Sequence, residues 1–191
     1  MRDCARVAAT FAFSCLAIGA QHANAALPAH PTVHTFEPTA EEIASMGSFP
    51  EIRTGTSVAI RNETALVGMP GLRKVAIFKR QTSGWTRTGS IAAPDASTNF
   101  GQTIAYRDNT VVVTADSAAY VFKLVNGVWK YTQKLIAESA SISFGVLTFQ
   151  DNMVVAGSVA PNLPGAVYVF ELTSAGKLVR RLKLQSSDSL P

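Results

Sequence analysis

A strand-rich unit about 45 residues long occurs three times in this chain, and no other feature limits its fold so tightly. Val75-Ala76-Ile77-Phe78-Lys79 returns as Ala119-Tyr120-Val121-Phe122-Lys123, and again as Val167-Tyr168-Val169-Phe170-Glu171. The three phenylalanines stand 44 and 48 residues apart. A fixed period in this range belongs to propellers, solenoids and arrays, whose units bury their faces against one another.

Each unit reads as four short strands joined by tight turns. In the middle copy, a strand over residues 101–107 meets the turn Asp108-Asn109, and a β-branched run follows over 110–114. A turn at Asp116-Ser117 leads to a third strand over 118–125. Asn126-Gly127 is a strong hairpin signal, because both residues tolerate the positive φ of a type I′ turn. The fourth strand, over 128–136, carries Trp129. An antiparallel meander of this kind is one propeller blade.

The first copy repeats the plan around the turns Asn62-Glu63, Pro70-Gly71 and Ser83-Gly84, and the third around Asp151-Asn152 and Ala175-Gly176. In the third, a longer loop is expected from Val159 to Gly165. Trp85 and Trp129 align, with Leu178 in their place in the third copy, and they read as core packing. The fold class expected is all-β: antiparallel four-stranded blades in a partial, three-blade β-propeller-like array. Blade 1 covers residues 54–91, blade 2 residues 99–136 and blade 3 residues 143–185. Residues 186–191 resemble the start of a further inter-blade connector.

The chain opens differently. Arg2 and Arg6 precede an apolar stretch over residues 7–20, and Ala23-Asn24-Ala25 is a small-x-small site, which together describe a signal peptide over residues 1–25. The stretch is too short to span a bilayer, which takes about 20 apolar residues. Secretion, or a periplasmic or cell-surface location, is therefore expected, with no transmembrane segment after cleavage. Both cysteines, Cys4 and Cys15, lie in that leader, so burial and strand pairing must stabilise the rest. Residues 26–53 form a polar segment in which Pro38-Thr39-Ala40-Glu41-Glu42 fits a capping box. A short helix is expected there, running through Met46 to Gly47 and covering an open edge of the first blade.

Each connector delivers the chain to a recurring dipeptide: Phe100-Gly101, Phe144-Gly145 and, less faithfully, Thr54-Gly55. Leu66-Val67-Gly68-Met69-Pro70 and the looser Val154-Val155-Ala156-Gly157-Ser158 supply a hydrophobic-Gly-x-Pro-like half. In these residues the chain resembles the FG-GAP repeats of integrin-α-type β-propellers, in their bacterial secreted form. Val112-Val113-Thr114-Ala115-Asp116 departs from the pattern by lacking the glycine and proline. The resemblance implies adhesion or binding to a protein or glycan, usually without catalysis. The calcium loop of integrin blades would fall at Asn62-Glu63, Asp108-Asn109 or Asp151-Asn152. Two residues cannot wrap an ion that wants about six to eight oxygens, so no calcium and no other cofactor is expected.

Catalytic chemistry is poorly supplied. With the leader removed there is no thiol, and the remaining histidines, His30 and His34, flank Pro31 in a proline-containing tail. No phosphate-cradling loop, zinc spacing or nucleophile elbow is present, so no catalytic, cofactor or metal residue is assigned. The net charge of +4 is mild; the one dense basic run, Lys177 to Lys183, reads as a solvated strand face, so no nucleic-acid partner is expected. A non-catalytic binding module is the leading expectation, with contact residues in loops such as Val159–Gly165 and Leu72-Arg73-Lys74. A polysaccharide-active enzyme represented in part, or a structural fragment, are the alternatives. Closed propellers have about four to eight blades, so three raise the possibility of a longer parent chain or of closure by oligomerisation.

Overall fold

The computed structural model describes residues 37–44, 51–137, 143–160 and 163–185. The expected leader and cleavage site, His30 and His34, the end of the expected helix, connector residues 138–142 and residues 186–191 lie outside them. All described residues belong to one unit, residues 34–191.

Three four-stranded antiparallel sheets follow a short helix, α1 (Ala40–Ala44). The first holds β1 (Val58–Arg61), β2 (Thr64–Met69), β3 (Lys74–Gln81) and β4 (Gly84–Ala92). The second holds β5 (Ile104–Arg107), β6 (Thr110–Ala115), β7 (Ala118–Val125) and β8 (Val128–Ile136). The third holds β9 (Ser143–Gln150), β10 (Met153–Ala160), β11 (Leu163–Leu172) and β12 (Leu178–Gln185). In every sheet the spatial order is the chain order, a plain meander. The first strands of successive sheets, β1 with β5 and β5 with β9, run beside one another. The sheets therefore fan out from a common side, a three-blade propeller-like array.

The turns follow from residue chemistry. Asn62, Asp108 and Asp151 each adopt positive φ, near 50°, at the first position of their two-residue turns. Asn126 and Gly127 both do so, at 51° and 78°, as the type I′ geometry requires. β2 and β6 are buried at every residue because both faces are covered. On β6, Val111, Val113 and Ala115 pack towards the first sheet, while Val112 packs towards the third.

The sheet-to-sheet packing repeats. Leu66, Val75 and Ile91 meet Phe100, Val113 and Tyr120 across the first seam; Val112, Val121 and Leu135 meet Phe144, Val154 and Tyr168 across the second. Phe100 sits edge-on to Tyr120 and Phe122, each at 5.8 Å, and Phe144 sits edge-on to Tyr168 at 5.7 Å. The phenylalanine of each Phe-Gly dipeptide is thus the plug between its own blade and the one before. Each aromatic pair adds about 0.5–1.5 kcal/mol beyond its burial.

Three details differ from the sequence-based expectation. The expected loop over Val159–Gly165 is hairpin: β10 and β11 continue through Ala160 and Leu163, which pair with each other. Pro164 is tolerated because pairing of β11 with β12 begins at Ala166, so its missing N–H forfeits no bond on that side. The outer strands share a bulge, between Ile77 and Phe78, Val121 and Phe122, and Val169 and Phe170. Finally, α1 docks on a face of the first blade rather than its edge. Glu42 reaches Lys74 on β3 and Arg87 on β4, residues sharing the outward face with Ala76 and Phe78. The capping box forms: the Thr39 amide donates to Glu42 Oε2 at 3.0 Å, and the Glu42 amide to Thr39 Oγ1 at 3.2 Å.

Candidate functional site

One rim of the array carries the β2–β3 connections and the inter-blade connectors, and its groove between the first two blades concentrates polar groups. After Met69 the chain makes a single 3₁₀ turn, Pro70–Leu72, and leaves it through Arg73 in the left-handed region at φ 54°. The strand leading into the first blade passes over this turn, and the Gly71 amide donates to Ile52 O at 3.2 Å. Gly71 is required there, since a Cβ would collide with the Glu51 carbonyl oxygen. Arg53 and Asn99, at equivalent positions ahead of Thr54-Gly55 and Phe100-Gly101, are both left-handed, at φ 52° and 56°.

These turns place Glu51, Arg53, Arg73, Thr98 and Asn99 around an open groove of about 450 Å³. Asp116, on the second blade, holds Thr98 and Asn99 in place, accepting from the Thr98 amide at 2.8 Å, the Thr98 hydroxyl at 2.6 Å and Asn99 Nδ2 at 2.9 Å. Asn99 is thereby oriented with Oδ1 towards Arg53, whose Nη2 donates to it. Arg73 Nη1 reaches Ala96 O at 3.4 Å. Among the described residues neither guanidinium is within ion-pair distance of a carboxylate, although Glu51 lines the same groove. The groove thus offers two planar donors without an ion-pair partner, one carboxylate, and hydroxyl and amide groups. That set suits carboxylates, sulfates and arrays of hydroxyls.

A second polar cluster beside it performs a different task. Tyr120 donates its hydroxyl to Asp95 at 2.9 Å, Lys134 Nζ reaches Asp95 Oδ2 at 2.8 Å, and Ser97 donates its amide to Asp95 Oδ1 at 3.0 Å. The Ser97 and Tyr120 hydroxyls also bond each other. Lys134, then Ser97, hold the Asp95 carboxyl well below the usual carboxylate range, and Asp95, then Tyr120, push Lys134 above the usual lysine range. The Asp95 carboxylate and the Lys134 ammonium are thereby held as an ion pair beside the Tyr120 and Ser97 hydroxyls. It pins the first connector to the second blade.

The turns at which integrin-type blades would bind calcium lie at the opposite ends of the strands. Asp108 receives Arg61 at 2.6 Å, and Asp151 stands 3.6 Å from Arg107. Of the loop Leu72-Arg73-Lys74, Arg73 lines the groove, whereas Lys74 turns to Glu42 at 3.2 Å. Trp85 and Trp129 pack against the cores, Trp129 edge-on to Tyr106 at 5.7 Å. Arg53 and Asn99 escaped the sequence reading. The signal was present in their shared position one residue before each repeat dipeptide.

Comparison with protein-family models and with curated protein sequences gives no match. Among solved structures the chain is similar to a europium-containing methanol dehydrogenase, a propeller protein, with a TM-score of 0.55 at 11% identity. The likeness covers 73% of this chain and 26% of that enzyme. At that identity it establishes the propeller-like architecture alone.

Proposed function

We propose that this chain is a secreted or periplasmic, non-catalytic binding module of the FG-GAP propeller type, taking a glycan or a protein segment in the rim groove between its first two blades. The observation that carries this is the pairing of Arg53 and Arg73 over one groove, two cations against the single lining carboxylate of Glu51 and neither in an ion pair among the described residues. Two guanidiniums so placed favour an acidic ligand, such as a uronate-containing oligosaccharide or an acidic stretch of polypeptide. The basic, apolar and small-x-small pattern of residues 1–25 supports export. The named neighbour's chemistry gives no comparable support, since its likeness is one of fold.

The test is a screen of the mature chain against neutral and uronate oligosaccharides, reading retention and cleavage together. Retention of acidic members, weakened about tenfold or more in Arg53→Ala and Arg73→Ala, is expected. Turnover of a polysaccharide without stable retention would replace this reading with the enzymatic one. Retention unchanged in both variants would move the site elsewhere.

A further inference from the structure

The outward face of the third blade repeats the positions through which the first two blades dock, but with different chemistry. Val155, Val167, Val169 and Leu184 occupy the places of Val112, Ala119, Val121 and Leu135 in the second blade. There Val112 and Val121 are fully buried and Leu135 is 6% exposed, whereas Leu184 is 54% exposed and the three valines are half-buried. The apolar pattern is kept and the cover is missing among the described residues.

Docking between blades also uses three polar latches. Ser57 Oγ and Thr103 Oγ1 donate to the Gly101 and Gly145 carbonyls of the following blade, at 2.7 and 2.9 Å. Arg61 and Arg107 reach the turn aspartates Asp108 and Asp151. Gln133 bonds both backbone groups of Leu178, at 2.8 and 2.9 Å. In the third blade the corresponding residues are Val146, Gln150 and Leu182. Val146 and Leu182 have no polar group to offer, and Gln150 has an amide but no charge for a turn aspartate. The face is not equipped to receive another blade in the manner of the first two.

It is equipped to receive itself. Gly157 leaves a groove of about 490 Å³ walled by Val146, Val167 and Leu184, while Leu182 stands proud beside it, 47% exposed. Glu171 and Arg181 at the margin satisfy each other at 2.7 Å, so no unpaired charge of theirs opposes a like face. Head-to-tail stacking meets an obstacle, because the corresponding face of the first blade is occupied: Val67, Met69 and Ala76 are 1–3% exposed there and Glu42 is bonded across it. We propose that two copies of the chain pair face to face through their third blades, each Leu182 entering the Gly157 groove of its partner. This is a closed twofold contact, and it differs from ring closure. Four strands about 4.8 Å apart and about six residues long make a face about 20 Å square. Pairing two such faces removes roughly 800–1,000 Å² from water, below the about 1,200–2,000 Å² of stable complexes and within the range of weak, transient ones. A weak dimer is therefore expected, to be sought at about 1–100 μM.

Sedimentation of the mature chain over that concentration range should show a monomer–dimer equilibrium. Leu182→Glu should weaken it at least 100-fold with unchanged circular dichroism, and the milder Val146→Ser should weaken it measurably. Because both cysteines lie in residues 1–25, single Val155→Cys, Val167→Cys or Val169→Cys variants of the mature chain give unambiguous disulfide dimers if the faces meet. A monomer throughout the range overturns the proposal, whether the face is bare or covered by another segment of the chain. So do trimers or larger rings, and so does a dimer indifferent to Leu182→Glu.

Discussion

Glu42 ties helix α1 to the first blade, and its replacement by glutamine has a calculable consequence. Its side chain is 8% exposed and accepts from Arg87 Nη1 and Nη2, each at 2.7 Å, from Lys74 Nζ at 3.2 Å and from the Thr39 amide at 3.0 Å. Arg87 foremost, with Thr39 and Lys74, outweighs the cost of burial and lowers the carboxyl from 4.5 to about 2. A difference of that size corresponds to about 3 kcal/mol favouring the docked carboxylate. Glu42→Gln keeps the shape but sets an amide N–H₂ among three donors. The helix should then undock roughly 100-fold more often at pH 7, seen as faster amide exchange in a peptide covering residues 37–44. The folded value is the depressed one, so the stabilisation is complete above about 4.5 and disappears as pH falls through about 2. The gap between wild type and variant should therefore be constant from pH 8 to 5 and close between pH 4.5 and 2. Equal exchange in the two proteins at pH 7, or a gap that persists to pH 2, would show that the Glu42 carboxylate does not hold the helix in place.

Two further perturbations use the repeat as its own control. Tyr120→Phe removes the donor to Asp95 and should cost about 1–2 kcal/mol in urea unfolding. Tyr168→Phe removes a fully buried hydroxyl that has no partner among the described residues, and should be neutral or slightly stabilising. Equal losses in the two would contradict the assignment of the Asp95 cluster as a clamp. Gly101 has φ 99° and a Cβ there would lie 2.8 Å from the Lys74 carbonyl oxygen, so Gly101→Ala should cost about 3 kcal/mol or more. Gly127→Ala, at φ 78° with open space around it, should cost about 1 kcal/mol, and thermal melts of the pair would separate strain from collision.

The turns were legible in the sequence because Asn, Asp and Gly announce positive φ by their own chemistry. The central strands were legible because a run such as Val111-Val112-Val113 has no polar face to offer water. The shared bulge was not, since it depends on pairing with a neighbour. Its trace is faint: Thr88 and Thr132, 44 residues apart, are the skipped residues, donating to Ile77 O and Val121 O. The length of the third blade's second hairpin was hidden because Pro164 reads as a loop residue unless one knows that β12 stops short of it. The capping box fixed the helix, but its destination rested on Arg87 and Lys74, which are remote in sequence and ordinary as surface cations. The groove was least legible. Arg53 and Asn99 are joined by the docking of two blades, and their common left-handed backbone has no compositional mark in an arginine.

Binding at the rim groove is tested by the backbone amide shifts of the chain lacking residues 1–25 during titration with a uronate oligosaccharide. Perturbations should concentrate at Arg53, Arg73, Thr98 and Asn99, and be lost in Arg53→Ala. Perturbations gathered instead around Asp108 and Asn126-Gly127 at the opposite ends of the strands would contradict it, as would the absence of any shift with every retained ligand.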